Sequence, residues 1–324
     1  MNRGPAIRVL GGLFFILAGF LAYFGVRLGT PLPIIFVIAG AGLILFTMIG
    51  RGARGSDLAI FTVGLIVLGA VMSSPAFPSG QRLIYSATKT QLSVQQIDLT
   101  VTASFGSITI QYSDQDDLVY QIDFSGSSGY LLPFPGPQYE LTNRTRNGVL
   151  SLNASSSASS MTVTLGRGYL VNIDASASTG SITMASARTE ALGRVSLSTG
   201  TGSIDAALTV ASISNLKAET GTGSIDLRSD HLLPKGTKAP ITVSTGTGSV
   251  DLNFKIPRNA AISVTASTAL GSVDSNLPEF SITQRSGTHI QAAAGDIAAA
   301  VLSFILDVSA GAGSIDLSLQ RTDV

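Results

Sequence analysis

Five aspartates, Asp205, Asp226, Asp251, Asp274 and Asp316, each stand three residues after the glycine of a recurring Gly-Ser-(Ile or Val)-Asp phrase. On stacked strands in register such carboxylates would lie about 4.8 Å apart. Unit charges at that separation repel by about 1 kcal/mol even in a water-like dielectric, and a hard divalent cation that gathers oxygen ligands would relieve the repulsion. Calcium-binding nonapeptide repeats work in this way, but they place Asp two residues after the second glycine of a much shorter unit. The competing reading is a structural ladder, with acids diverging through strand twist or pairing with Arg228, Lys255 and Arg258. Sugar hydrolysis also needs two carboxylates, about 5–10 Å apart. A catalytic pair would be unique within its domain, whereas these aspartates recur, so a polysaccharide-active β-helix enzyme is the weakest of the three readings.

Other chemistry has little to draw on. The chain has no cysteine, which removes disulfides, thiolate metal sites and cysteine nucleophiles, and no tryptophan. His231 and His289 are its two histidines, in no metal-binding spacing and in no local nucleophile motif. The Gly-Xaa-Gly corners lack the third glycine, following helix and downstream acid of a dinucleotide site. No enzymatic activity and no cofactor are expected.

A second candidate lies in 126–139, which interrupts the repeats and gathers aromatics in a chain that is 6% aromatic. Tyr130, Phe134 and Tyr139 would offer stacking faces to a sugar, a protein partner or a lipid surface. The alternative is a proline-stiffened loop that caps one end of the repeat domain. Asp114, Asp116 and Asp117 lie just before it. Asn143-Arg-Thr145 and Asn153-Ala-Ser155 fit the N-glycosylation pattern, which matters only in a host that glycosylates asparagine.

The elements that position these residues follow from the repeat. Its clearest copies begin at Gly106, Gly180, Gly202, Gly223, Gly248, Gly271 and Gly313, with Gly148 and Gly295 as degenerate copies. Spacings near twenty-odd residues mark a stacked architecture. Seven and five residues before the glycine stand apolar pairs such as Leu99/Val101, Val195/Leu197 and Ile241/Val243; two and four after it stand Ile108/Ile110, Ile225/Leu227 and Val250/Leu252. Each alternation predicts a half-buried strand. The inward parity changes from odd to even across the glycine, so the chain must bend there, and glycine permits the positive φ of such a corner. Stacked units of strand, corner and strand would share one core and leave Ser and Thr on the outer face.

The 324 residues are 45% hydrophobic and only 12% charged, and a formal net charge of zero conceals an uneven distribution. Residues 1–72 carry five arginines against one acid, so the rest is mildly acidic, which does not suit nucleic-acid binding. Three apolar runs, 9–26, 31–49 and 58–74, approach the roughly 20 residues that a helical span requires. A cleaved signal peptide would account for only one of them. Arg3, Arg8, Arg51 and Arg54 flank the spans on the side that should be cytoplasmic, leaving everything after Pro75 outside. The expected layout is a three-helix transmembrane anchor over 1–74, a linker over 75–92 and an extracytoplasmic all-β repeat domain over 93–320.

The phrases Thr199–Ala206, Thr220–Leu227, Thr245–Leu252 and Ala310–Leu317 resemble those of the toast-rack, or putative adhesin, family of bacterial and archaeal envelope proteins, over roughly residues 90–320. Pro31–Leu43 is similar to the helical hairpins that precede toast-rack domains in regulators of envelope stress. The resemblance implies a β-solenoid or toast-rack ladder and a noncatalytic envelope role, and it supplies no catalytic residues. The function expected is a membrane-anchored protein that presents a β-repeat surface for binding or adhesion, with the bilayer and an envelope protein or glycan as partners. The alternative is an envelope-stress sensor acting through a membrane partner.

Overall fold

The computed structural model describes residues 82–125, 138–186, 191–209, 211–230, 232–235, 238–296 and 300–323. These are built from strands, and no helix among them is long and apolar enough to cross a membrane. The three expected spans, 9–26, 31–49 and 58–74, lie outside the described residues.

The repeat glycines are corners. A coil enters on one strand, turns at the glycine and leaves on a second strand, as in Asn215–Thr222, Gly223, Ile225–Ser229. The entering strands join a 13-stranded sheet and the leaving strands a 10-stranded sheet. Every apolar pair named from the alternation is buried, and the inward faces of both sheets contribute to one core. That core buries far more apolar area than any single coil could, which is why the unit is stable only as a stack. Its two bulkiest rings at mid-stack each meet a small neighbour on one side. Phe254 stands opposite Ser229 in the register, and Phe304 opposite Ala239.

At seven corners the φ of Gly106, Gly180, Gly202, Gly223, Gly248, Gly271 and Gly313 lies between 138° and 143°. Space restricts these positions further. A Cβ on Gly223 would meet the carbonyl oxygen of Gly202 at 2.1 Å, and one on Gly202 would meet that of Gly180 at 2.1 Å. Such close approach lets the ladder resume on either side of the bend: Gly223 N–H donates to Thr247 O (2.8 Å) and Ile225 N–H to Ser249 O (2.9 Å).

Inside the bend, Thr220 Oγ1 donates to Gly202 O (2.9 Å), Thr245 Oγ1 to Gly223 O (3.1 Å) and Thr268 Oγ1 to Gly313 O (2.9 Å). These threonines are buried. Not all Ser and Thr therefore coat the outside; the threonine three residues before the corner glycine keeps the inward parity and satisfies a carbonyl that the bend removes from the ladder.

Two of the expected repeats are not corners. Gly148 and Asn147, both at positive φ, form the two-residue turn of a hairpin between Tyr139–Arg146 and Val149–Ser156. Gly295 follows the strand His289–Ala294. Conversely, the coil of Val149–Ser156 and Ser160–Leu165 turns without glycine, with Ser156 and Ser159 joined through their hydroxyls. Strand Arg82–Thr88 falls in the stretch read as a linker, and pairs antiparallel with Leu118–Ser125.

The coils do not stack in chain order. The first glycine coil, around Gly106, lies between the serine-cornered coil and the Gly180 coil, and the last, around Gly313, lies between the Gly248 and Gly271 coils. All these neighbours pair in parallel. Antiparallel strands close both ends: Arg82–Thr88, Leu118–Ser125 and Tyr139–Arg146 at one, Ser281–Arg285 and His289–Ala294 at the other.

The corner geometry makes a direct prediction. Gly223→Ala combines a positive φ with a backbone clash and should cost about 3 kcal/mol or more. Gly148→Ala, at φ 75° with nothing within 4 Å, should cost only the left-handed penalty of about 1–2 kcal/mol. Thermal unfolding of both variants checks this, and equal losses would mean that the close approach does not constrain the fold.

Candidate functional site

The five aspartates form one column on the outer face of the 10-stranded sheet. Its order is Asp205, Asp226, Asp251, Asp316, Asp274, each opposite the next in the strand register. Asp316 enters between Asp251 and Asp274 because the last coil is inserted there. Thr183 continues the column beyond Asp205.

Arg228 crosses this column. It projects two residues after Asp226 and holds that carboxylate with both nitrogens of its fork, Nε to Oδ1 at 2.9 Å and Nη2 to Oδ2. Hydrogen bonding and the charge of Asp226 raise the Arg228 pKa, with smaller support from Asp205 and Asp251. Asp251 has the opposite problem. Burial raises its pKa first, the charges of Asp226 and Asp316 raise it further, and Arg228 partly offsets them.

Of the other cations considered for this column, Lys255 pairs with Asp230 (3.1 Å), and Arg258 with Glu279 (2.9 Å) and Asp323 (3.2 Å). Ser272 Oγ donates to Asp274 Oδ2 at 3.1 Å. Among the described residues no group of three or more His, Cys, Asp or Glu side chains is placed to hold a metal ion. The arrangement is a line of carboxylates across the 10-stranded sheet, with one arginine bound to its second member.

Beside it, the edge where the chain turns carries a second periodic surface. Thr179, Thr201, Thr222 and Thr247 stand in register and exposed, one per coil, between exposed Phe105 and, past Ala312, Leu270. A serine follows each corner glycine. Ser181 N–H donates to Ser107 Oγ and Ser203 N–H to Ser181 Oγ, both at 3.3 Å. The strip holds no charge, and the aspartate column borders it on the side of the 10-stranded sheet. This serine and threonine edge was readable from the phrase Thr-Gly-Ser itself, once its glycine was known to be a corner.

The aromatic candidates separate. Tyr130 and Phe134 lie outside the described residues. Tyr139 opens strand Tyr139–Arg146 half-buried, its ring 5.1 Å from that of Phe124 and tilted by 50°. Asn143 on the same strand donates from Nδ2 to Tyr120 Oη at 2.8 Å, linking the two sheets. His289 is half-exposed on an end strand, and His231 lies outside the described residues.

No protein-family model matches this chain, and no curated protein matches it in sequence. Among solved structures it is similar to a putative cell adhesion protein from Clostridium sporogenes, at 13% identity over 74% of this chain and 99% of that one, with a TM-score of 0.43. It is also similar to a putative adhesin from Bacteroides fragilis, at 12% identity over 74% and 98% of the two chains, with a TM-score of 0.21.

The strained aspartate gives a pH prediction. A carboxyl whose pKa is raised on folding lowers stability as pH rises through that pKa, because the folded state then gives up a proton that it favours. Asp251→Asn should therefore stabilise the protein at neutral pH, by about 0.2–1 kcal/mol for relief of like charges on adjacent strands. The gain should vanish below the ordinary carboxylate value of 3.8, where the native side chain is also neutral. Thermal unfolding of both proteins across that range checks it; a gain independent of pH would point away from charge.

Proposed function

We propose that this chain is a membrane-anchored, noncatalytic envelope protein whose β-solenoid presents a periodic surface for binding or adhesion outside the cytoplasm. The observation that carries the reading is the in-register repetition of threonine on four adjacent coils along the turning edge. A surface of identical, uncharged hydroxyl groups at about 4.8 Å intervals suits a ligand that also repeats. Each contact is weak, and many made together give avidity without a deep pocket. The stacked coils hold these groups with little freedom left to lose on binding, which favours association. A sugar polymer or the surface of a neighbouring envelope protein has the required extent. The apolar runs of the first 74 residues support anchoring, and the arginine distribution supports an outside location for the domain.

Full-length protein in lipid nanodiscs should bind isolated envelope polysaccharide or envelope protein. Thr222→Glu, which puts a charge in the middle of the uncharged strip, should weaken that binding about tenfold with the fold intact by circular dichroism. Unchanged binding would remove the edge from consideration. Crosslinking in the native membrane that captured one integral membrane protein, and only with residues 1–74 present, would favour the regulatory alternative.

A further inference from the structure

We propose that the end of the stack formed by strands Arg82–Thr88 and Tyr139–Arg146 rests on a lipid surface bearing anionic headgroups, an inference that depends on the membrane-anchored reading above. These are the outermost strands of the two sheets at that end. Consecutive apolar side chains crowd the first of them. Ile84 is 51% exposed on the outer face, while Tyr85, 41% exposed, stands edge-on to Phe124 with ring centroids 6.1 Å apart. Leu83 and, on the facing edge strand, Leu141 are only partly buried against the core. The other exposed large apolar residues, such as Leu270, Ile282, Val301 and Ile305, are not consecutive in this way.

Charge and chain length point to the same occupant. Arg144 and Arg146 are exposed on the second edge strand and make no ion pair among the described residues. Tyrosine beside aliphatic residues with unpaired arginines nearby is the composition that settles at a membrane interface, with rings at headgroup depth and guanidinium groups toward phosphate. The last apolar run ends at residue 74 and the first strand begins at Arg82. The seven residues between them, eight Cα–Cα steps, reach at most about 28 Å when fully extended and about 16 Å as a flexible chain. A tether that short holds this end near the bilayer and keeps the effective concentration of the surface high. The unpaired backbone groups of both edges meet water and headgroups there, not hydrocarbon.

The chain has no tryptophan, so a single substitution creates a clean reporter. Full-length Ile84→Trp, Tyr85→Trp and Ile282→Trp proteins are reconstituted separately in vesicles of equimolar phosphatidylcholine and phosphatidylglycerol, with and without acyl chains brominated near the headgroup. Two reporters at the proposed surface guard against one of them disturbing the fold. Flotation with the vesicles and loss of at least about half the fluorescence for residues 84 and 85, with little loss at 282, is the expected result. Arg144→Gln with Arg146→Gln should reduce the quenching in anionic vesicles and leave it unchanged in pure phosphatidylcholine. Flotation without quenching at 84 and 85 would overturn the proposal and leave the anchor standing, whereas failure to float would remove both. Reporters shielded from aqueous acrylamide, yet untouched by brominated lipid, would assign this end to a second copy of the chain and also overturn the proposal.

Discussion

Everything in the domain depends on how closely one corner approaches the next. Where Gly223 passes Gly202, the carbonyl oxygen of one coil occupies the space in which the other would carry a Cβ. The spacing between coils at the bend is thereby held at the spacing between strands in a sheet, and threonine and serine hydroxyls take up the backbone groups that leave the ladder at the corner. A bulkier corner would splay the coils at that edge. The inward columns would then lose registry, and the core that they share would lose contact along the whole stack.

The same constraint fixes the surface. Because the corners stack in register, the residues on either side of each glycine fall into columns whether or not any ligand requires it. The aspartates illustrate the cost of such order. Repetition of a favourable phrase sets like charges opposite one another, and only Asp226 has an arginine bound to it among the described residues. Asp251, between two other acids, has its pKa raised first by burial and then by their charges. Threonine and serine carry no such penalty when stacked, and they occupy the columns nearest the bend.

Much of this was legible in the sequence, because the signals involved are local. Period-two alternation named the buried residues on both strands of a coil, and the parity change at the glycine showed the corner. The column of five aspartates followed from the same spacing. What was not legible depends on pairing between distant segments. Nothing in the phrase around Gly313 distinguishes a coil stacked last from one inserted between Gly248 and Gly271, since all three have the same local pattern. Gly148 imitates a repeat because a hairpin turn and a coil corner both need glycine at positive φ. Strand Arg82–Thr88 went unread because Ile84 puts an apolar side chain on its outer face and breaks the alternation; its place is fixed by Leu118–Ser125, thirty or more residues away.

The inserted coils bear on how the chain can be made. A simple repeat protein can add each unit to a finished face as the chain emerges, so its growth has a direction. Here the Gly271 coil precedes Gly313 in synthesis yet lies beyond it in space, and the place next to the Gly248 coil must be filled by the last strands of the chain. The coil of Ser303–Ala312 and Ile315–Thr322 is therefore a keystone, and until it arrives that end of the stack cannot close. Assembly is thus tied to synthesis of that coil, and a product ended before it would expose an unfilled slot between open parallel strands, a state easily distinguished from the finished domain by a protease or a chaperone.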